Sequence, residues 1–153
     1  MAHAEEELAE MLAISKSLVL NPGTLDGNWN RSMKAALAHA KLLGRPVVLD
    51  PVGAGASRLR TNTALELLEM GGVSVLRGNA SEIISLTNNS PAKSGGVDAQ
   101  DPVESALAAA KQISKRYHCA VVVSGAVDLV VFNSAARIAN GDDTLRAGMS
   151  FQV

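Results

Sequence analysis

Short apolar runs that stop at polar or glycine-bearing turns recur along this chain, and stretches with helical spacing separate them. Leu18, Val19 and Leu20 end at Asn21-Pro22-Gly23, and residues 46–50 (Pro-Val-Val-Leu-Asp) run into Pro51-Val52-Gly53-Ala54-Gly55-Ala56. Residues 73–76 lead to Arg77-Gly78, and residues 119–123 stop at Ser124-Gly125. The runs are apolar without alternation, so each reads as a strand buried on both sides. That pattern implies an α/β fold with a mostly parallel sheet covered on both faces.

Between these runs, residues 3–15 place Leu8, Met11, Leu12 and Ile14 near helical spacing, and Glu5, Glu6 and Glu7 load the first turn favourably for the helix dipole. Residues 30–43 carry Met33, Leu37, Ala40 and Lys41 at helical spacing, with Gly44 as a C-terminal cap. Residues 61–70 read as a helix, residues 80–86 as a short helix capped by Asn79, and residues 102–117 as an amphipathic helix with Pro102 near its first turn. Residues 87–101 have loop composition. Residues 127–132 and 136–139 read as two further strands, the second turning at Asn140-Gly141. No repeat or linker interrupts the pattern, so one domain across residues 1–153 is expected.

Composition narrows the function. A chain of 153 residues with 47% hydrophobic and 19% charged residues suits one globular domain. Its net charge of −1 supplies no field toward nucleic acid or anionic lipid, so neither is expected as a partner. Cys119 is the single cysteine, which rules out an internal disulfide. The start, MAHAEEELAEM, is acidic and lacks the apolar stretch of a signal peptide. No apolar run approaches the roughly 20 residues of a membrane helix. A reducing, cytoplasmic compartment is the expectation.

In sheets of this kind a ligand lies beyond the carboxyl ends of the strands. Asp50 stands at such an end, with Gly53 and Gly55 behind it. A carboxylate there suits a cation or its water, and the glycines would expose backbone N–H groups to a polyphosphate. The alternative is a strand end followed by a simple turn, and the residues alone leave both open. Arg77 offers a planar fork of donors for phosphate. Glu82 could face the same cation as Asp50, or close a capping box back to Asn79; taken alone, the capping box is the better reading. Ser124 and Gly125 could approach a nucleotide or only form a turn. His3, His39 and His118 do not sit at strand ends and read as helix-face or strand-start residues.

In this order, LVLNPGTL, RPVVLDPVGAGASRLRT, VLRGNASEIISL, GGVDA and VVVSGAVD, ending at an Asn-Gly turn, resemble the successive signatures of the hydroxyethylthiazole kinase family. The resemblance runs from residue 1 to about residue 145. It implies a three-layer, ribokinase-like α/β fold with a mostly parallel sheet, incomplete here at both the N- and C-termini. It also implies ATP-dependent, magnesium-assisted phosphorylation of the primary alcohol of 4-methyl-5-(2-hydroxyethyl)thiazole, in thiamine salvage and synthesis. By the same resemblance, Asp50 and Glu82 match the acidic residues near the metal. Arg77, Asn79, Ser124 and Gly125 match the ATP side, and Met1, Asn21, Gly23 and Thr24 the thiazole side. A homotrimer with sites at subunit boundaries is implied as well.

The family pattern further implies a strand–helix unit before Met1 and, after Asn140-Gly141, a Gly-Thr-Gly-Cys segment that receives the γ-phosphate and brings a cysteine near the substrate hydroxyl. This chain leaves the pattern after Leu145 and ends in Arg146-Ala147-Gly148-Met149-Ser150-Phe151-Gln152-Val153. No catalytic residue is therefore assigned; Cys119 begins an apolar strand and reads as core. Without the helices that follow in the family, one sheet face is expected to stand uncovered. A non-catalytic chain that binds nucleotide, or joins a homologous trimer, is the alternative to a kinase.

Overall fold

The helix–strand alternation closes into one six-stranded sheet in the order β1-β2-β3-β4-β5-β6. The strands are β1 (Leu18–Leu20), β2 (Val47–Leu49), β3 (Val75–Asn79), β4 (Ala120–Ser124), β5 (Val127–Phe132) and β6 (Ala135–Asn140). The helices are α1 (Leu8–Ile14), which a 3-10 turn at Glu5–Glu7 precedes, α2 (Gly27–Leu42), α3 (Arg58–Glu69), α4 (Ala80–Ser85) and α5 (Pro102–Tyr117). The computed structural model describes residues 5–87, 102–133 and 135–140. Met1, most of the glycine-rich stretch at 87–101 and the chain from Gly141 onward lie outside the described residues.

Capping chemistry explains where the helices begin and end. α2 starts earlier than its apolar spacing indicates, because the Asp26 side chain accepts the Trp29 N–H. It stops where Gly44 takes φ +62°, with the Arg45 N–H bonded to the Ala40 carbonyl and the Gly44 N–H to that of Lys41. That pair of bonds is a Schellman ending, which needs a residue able to adopt a left-handed backbone. α3 likewise begins early, at a Ser57 side chain that accepts the Arg60 N–H.

β1, β2, β3 and β4 pair in parallel, whereas β5 and β6 turn back antiparallel at one edge. Each parallel crossover steps in the same direction across the sheet. Right-handed crossovers of that kind return on the same side. The burial record agrees: Leu20, Val47, Leu49, Leu76, Val121 and Val131 share one face by register and are buried in the core with Leu37, Leu67 and Ile113. The opposite face carries Val19, 62% exposed, and the half-buried Val48, Val75, Val122 and Val130. Among the described residues, then, helices cover one face. Apolar runs announce strands, but the direction of the crossovers decides which face receives the helices.

Candidate active site

Register brings the carboxyl ends of the parallel strands together. Leu20 pairs with Leu49 and Leu49 with Leu76, so Asn21, Asp50 and Arg77 emerge from neighbouring strands along one edge. Asn79 pairs with Ser124, which places the end of β4 beside the start of α4.

Asn21 works in two directions. Its Nδ2 donates to Asp50 Oδ2 at 3.0 Å, and its Oδ1 accepts the Gly23 N–H at 2.8 Å. Its carbonyl takes the Trp29 indole N–H at 3.1 Å, which ties the turn to the first turn of α2. Asp50 is half-buried, and its carboxyl is held above its ordinary value, first by burial and second by the charge of Glu82; Arg77 and the Asn21 hydrogen bond pull the other way. Two carboxylates and a guanidinium thus share one field, an arrangement suited to a phosphate-bearing ligand with its cation.

The glycine-rich turn departs from the expectation that it would bare its N–H groups. Gly53 donates to Glu82 Oε1 at 3.0 Å, Ala54 to the Pro51 carbonyl at 2.9 Å, Gly55 to Thr61 Oγ1 at 2.8 Å and Ala56 to the Gly53 carbonyl at 3.0 Å. These four amides are already spent, two within the turn and two on side chains of α3 and α4, leaving the Asp50 carboxylate as its chemically active part. Gly53 and Gly55 are needed for conformation, with φ +76° and +89°.

Glu82 closes the capping box expected from its position: Asn79 Oδ1 accepts the Glu82 N–H at 2.9 Å and Glu82 Oε2 accepts the Asn79 N–H at 2.9 Å. The same carboxylate reaches the Gly53 turn, so capping and proximity to Asp50 coexist in one residue. Gly78 packs between Pro51 and Glu82, and a Cβ there would lie 3.1 Å from both, a tight fit that would make one of them shift.

Arg77 is exposed on β3, and Ser124 is half-buried at the end of β4. Gly125 donates its N–H to Asp128 Oδ1 at 3.1 Å, so Asp128 shapes the turn that carries Ser124. Gly23 and Thr24 are exposed in the turn after β1. Met1 lies outside the described residues, so seven of its companions on the thiazole and ATP sides are the ones described here. Cys119 is buried, as expected for a core residue, and burial pushes its thiol up to about 11. Among the described residues no group of three or more His, Cys, Asp or Glu side chains could hold a metal ion. Each Glu82 oxygen accepts one backbone N–H, and a carboxylate oxygen has two lone pairs, so a cation there would share Glu82 with Gly53 and Asn79.

Three participants escaped the sequence reading. Arg60 bonds the Pro22, Gly23 and Val52 carbonyls, Thr61 holds Gly55, and Trp29 holds Asn21. Their only local signal is a place in the first turn of a helix that follows a strand-end turn.

Known proteins similar to this chain identify its family and fold. The model of the hydroxyethylthiazole kinase family matches residues 1–148. The chain is 50% identical over 135 residues to a hydroxyethylthiazole kinase of Aliivibrio salmonicida, a match covering 88% of this chain and 51% of that protein. It is 52% identical over 130 residues to one of Nitratidesulfovibrio vulgaris, covering 85% and 48%. The solved structure of a hydroxyethylthiazole kinase protein from Pyrococcus horikoshii OT3 superposes with a TM-score of 0.76 at 41% identity, over 90% of this chain and 50% of that one. The chain therefore spans about half the length of the relatives it matches. With the mixed, mostly parallel sheet and the signature residues gathered at its strand ends, the fold is ribokinase-like α/β. The chain belongs to the hydroxyethylthiazole kinase family.

Proposed function

We propose that this chain forms a single domain, residues 1–153, that takes part in ATP-dependent phosphorylation of the primary alcohol of 4-methyl-5-(2-hydroxyethyl)thiazole, in the cytoplasm and on the route to thiamine. The observation that carries the reading is the side-by-side emergence of Asn21, Asp50 and Arg77, with Glu82 acting electrostatically on Asp50. Family membership supplies the substrate class. Among the described residues no helix is long and apolar enough to cross a membrane, which accords with the proposed location.

Phosphoryl transfer is chiefly positioning and electrostatic stabilisation, and the residues divide along those lines. Asp50 and Glu82 would hold magnesium, which when bound offsets the charge of the phosphates. Arg77 gives its guanidinium to a phosphate; Asn79, Ser124 and Gly125 face the nucleotide. Asn21, Gly23, Thr24 and Met1 orient the alcohol. A homotrimer is part of this proposal.

The test is steady-state ADP formation by the purified chain with MgATP and hydroxyethylthiazole. Alcohol-dependent, magnesium-dependent turnover supports a kinase. MgATP binding without turnover replaces it with the non-catalytic reading, in which the chain holds nucleotide or joins a homologous trimer. Neither binding nor turnover overturns both.

A further inference from the structure

We propose that Arg60 is a positioning residue, whose guanidinium sets the distance between the turn that receives the alcohol and the turn that follows Asp50; the inference rests on the function proposed above. Arg60 Nη1 donates to the Pro22 carbonyl at 2.7 Å and to the Val52 carbonyl at 3.2 Å, while Nη2 donates to the Gly23 carbonyl at 2.9 Å. One planar fork therefore spans two turns that follow different strands. The three carbonyls are met from two nitrogens held in one rigid plane, a spread that the point-like ammonium of a lysine does not reproduce even though it has three N–H donors.

The surroundings are built for that side chain. Gly53, at φ +76°, leaves open the space through which Arg60 passes; a Cβ there would stand 2.7 Å from Arg60 Cδ and 3.3 Å from Nε. Ser57 caps α3 by accepting the Arg60 N–H, which fixes the base of the side chain. The bridge also completes a closed circuit. Asp50 is bonded by Asn21, Asn21 accepts the Gly23 N–H, Arg60 joins Gly23 to Val52, and the next residue, Gly53, is held by Glu82. The proposed alcohol site and the two carboxylates are thereby kept in one frame. Since in-line transfer loses roughly 10²-fold for a misplacement near 1 Å, a residue that holds this spacing acts on the reaction without touching it.

The test compares the parent chain with Arg60→Ala and Arg60→Lys. Two measurements are made: amide hydrogen exchange of the unliganded proteins, and steady-state kinetics with MgATP and hydroxyethylthiazole. Arg60→Ala is expected to speed exchange in residues 21–24 and 52–53 together, leaving the central strands as protected as in the parent. It should lower kcat/KM for the alcohol by about 10²-fold while KM for ATP stays within about twofold. Added guanidinium ion should partly restore Arg60→Ala, and Arg60→Lys should resemble Arg60→Ala because it keeps the charge without the fork. Uniform loosening of the whole fold, an unchanged kcat/KM for the alcohol in a protein that turns over, or full function in Arg60→Lys would each overturn the proposal. If the parent shows no alcohol-dependent turnover, the proposed function fails and exchange decides this inference alone. Coupled loosening of the two turns with recovery in guanidinium then upholds the bridge, and unchanged exchange in either turn overturns it.

Discussion

Glu82 holds Gly53 across 29 residues of sequence: its Oε1 accepts the Gly53 N–H at 3.0 Å while its Oε2 accepts the Asn79 N–H at 2.9 Å. One carboxylate thus joins the Asp50-Pro51-Val52-Gly53 turn to the start of α4, so the two strongest signatures of the chain form one structural unit. A glutamine cannot accept both N–H groups, because one of its terminal atoms is itself a donor. Glu82→Gln is expected to lose about 1 kcal/mol of stability, and Glu82→Ala about 1–3 kcal/mol, in urea unfolding at neutral pH. Equal unfolding midpoints for Glu82→Gln and the parent would refute the double acceptance.

Asp50 should cost stability where it serves function. Its carboxyl is raised from 3.8, so between 3.8 and the folded value the folded chain binds more proton than the unfolded one. Stability attributable to this group therefore falls as pH rises through that window, and the penalty is complete above it. Asp50→Asn removes the charge and keeps an oxygen for the Asn21 donor. It is expected to melt at the same or a higher temperature than the parent at pH 7, with the difference vanishing toward pH 3.8. Alcohol phosphorylation, if present in the parent, should drop by about 10²-fold or more. A clear loss of stability at pH 7 would contradict the burial argument.

Two glycines predict opposite outcomes for the same substitution. Gly53 has φ +76° and its missing side chain is occupied by Arg60, so Gly53→Ala should destabilise the fold by about 1–2 kcal/mol or more. Gly27 opens α2 and a Cβ there would meet nothing within 4 Å, so Gly27→Ala should stabilise by about 0.4–1 kcal/mol. Thermal melts of the two variants check both signs at once.

Cys119 should be chemically silent in the folded protein. It is 1% exposed, and burial pushes its thiol to about 11. Iodoacetamide at pH 8 is expected to leave the native chain unmodified over the time in which the urea-unfolded chain is alkylated fully, with intact mass as the readout. Rapid native alkylation would show that the strand start at Cys119 opens freely.

The strands and the helices were largely legible because their signals are local. The apolar run at Leu18–Leu20, the glycine that ends α2 and the Asn79–Glu82 capping box all act within a few residues. The helix starts were harder: Asp26 and Ser57 extend α2 and α3 beyond their apolar spacing through one side-chain bond each. Asn21, Asp50 and Ser124 were legible because each lies at or just beyond the end of a strand; Arg77, expected just past a strand, stands inside β3, and Glu82 lies in the first turn of α4. The spent amides of the glycine turn were not legible, since their acceptors Glu82 and Thr61 belong to other elements.

By itself, then, the amino-acid sequence determined the succession of elements, the caps that bound several of them and the family to which the chain belongs. Short-range hydrogen bonding and the pattern of apolar residues suffice for the elements, and the order of signature segments for the family. Only the tertiary structure decided that β5 and β6 run antiparallel, that one sheet face takes the helices, and that Arg60 bridges turns up to 38 residues away. The reason is physical: such relationships depend on strand order and register, which bring distant backbone groups within hydrogen-bond reach only once the sheet has closed.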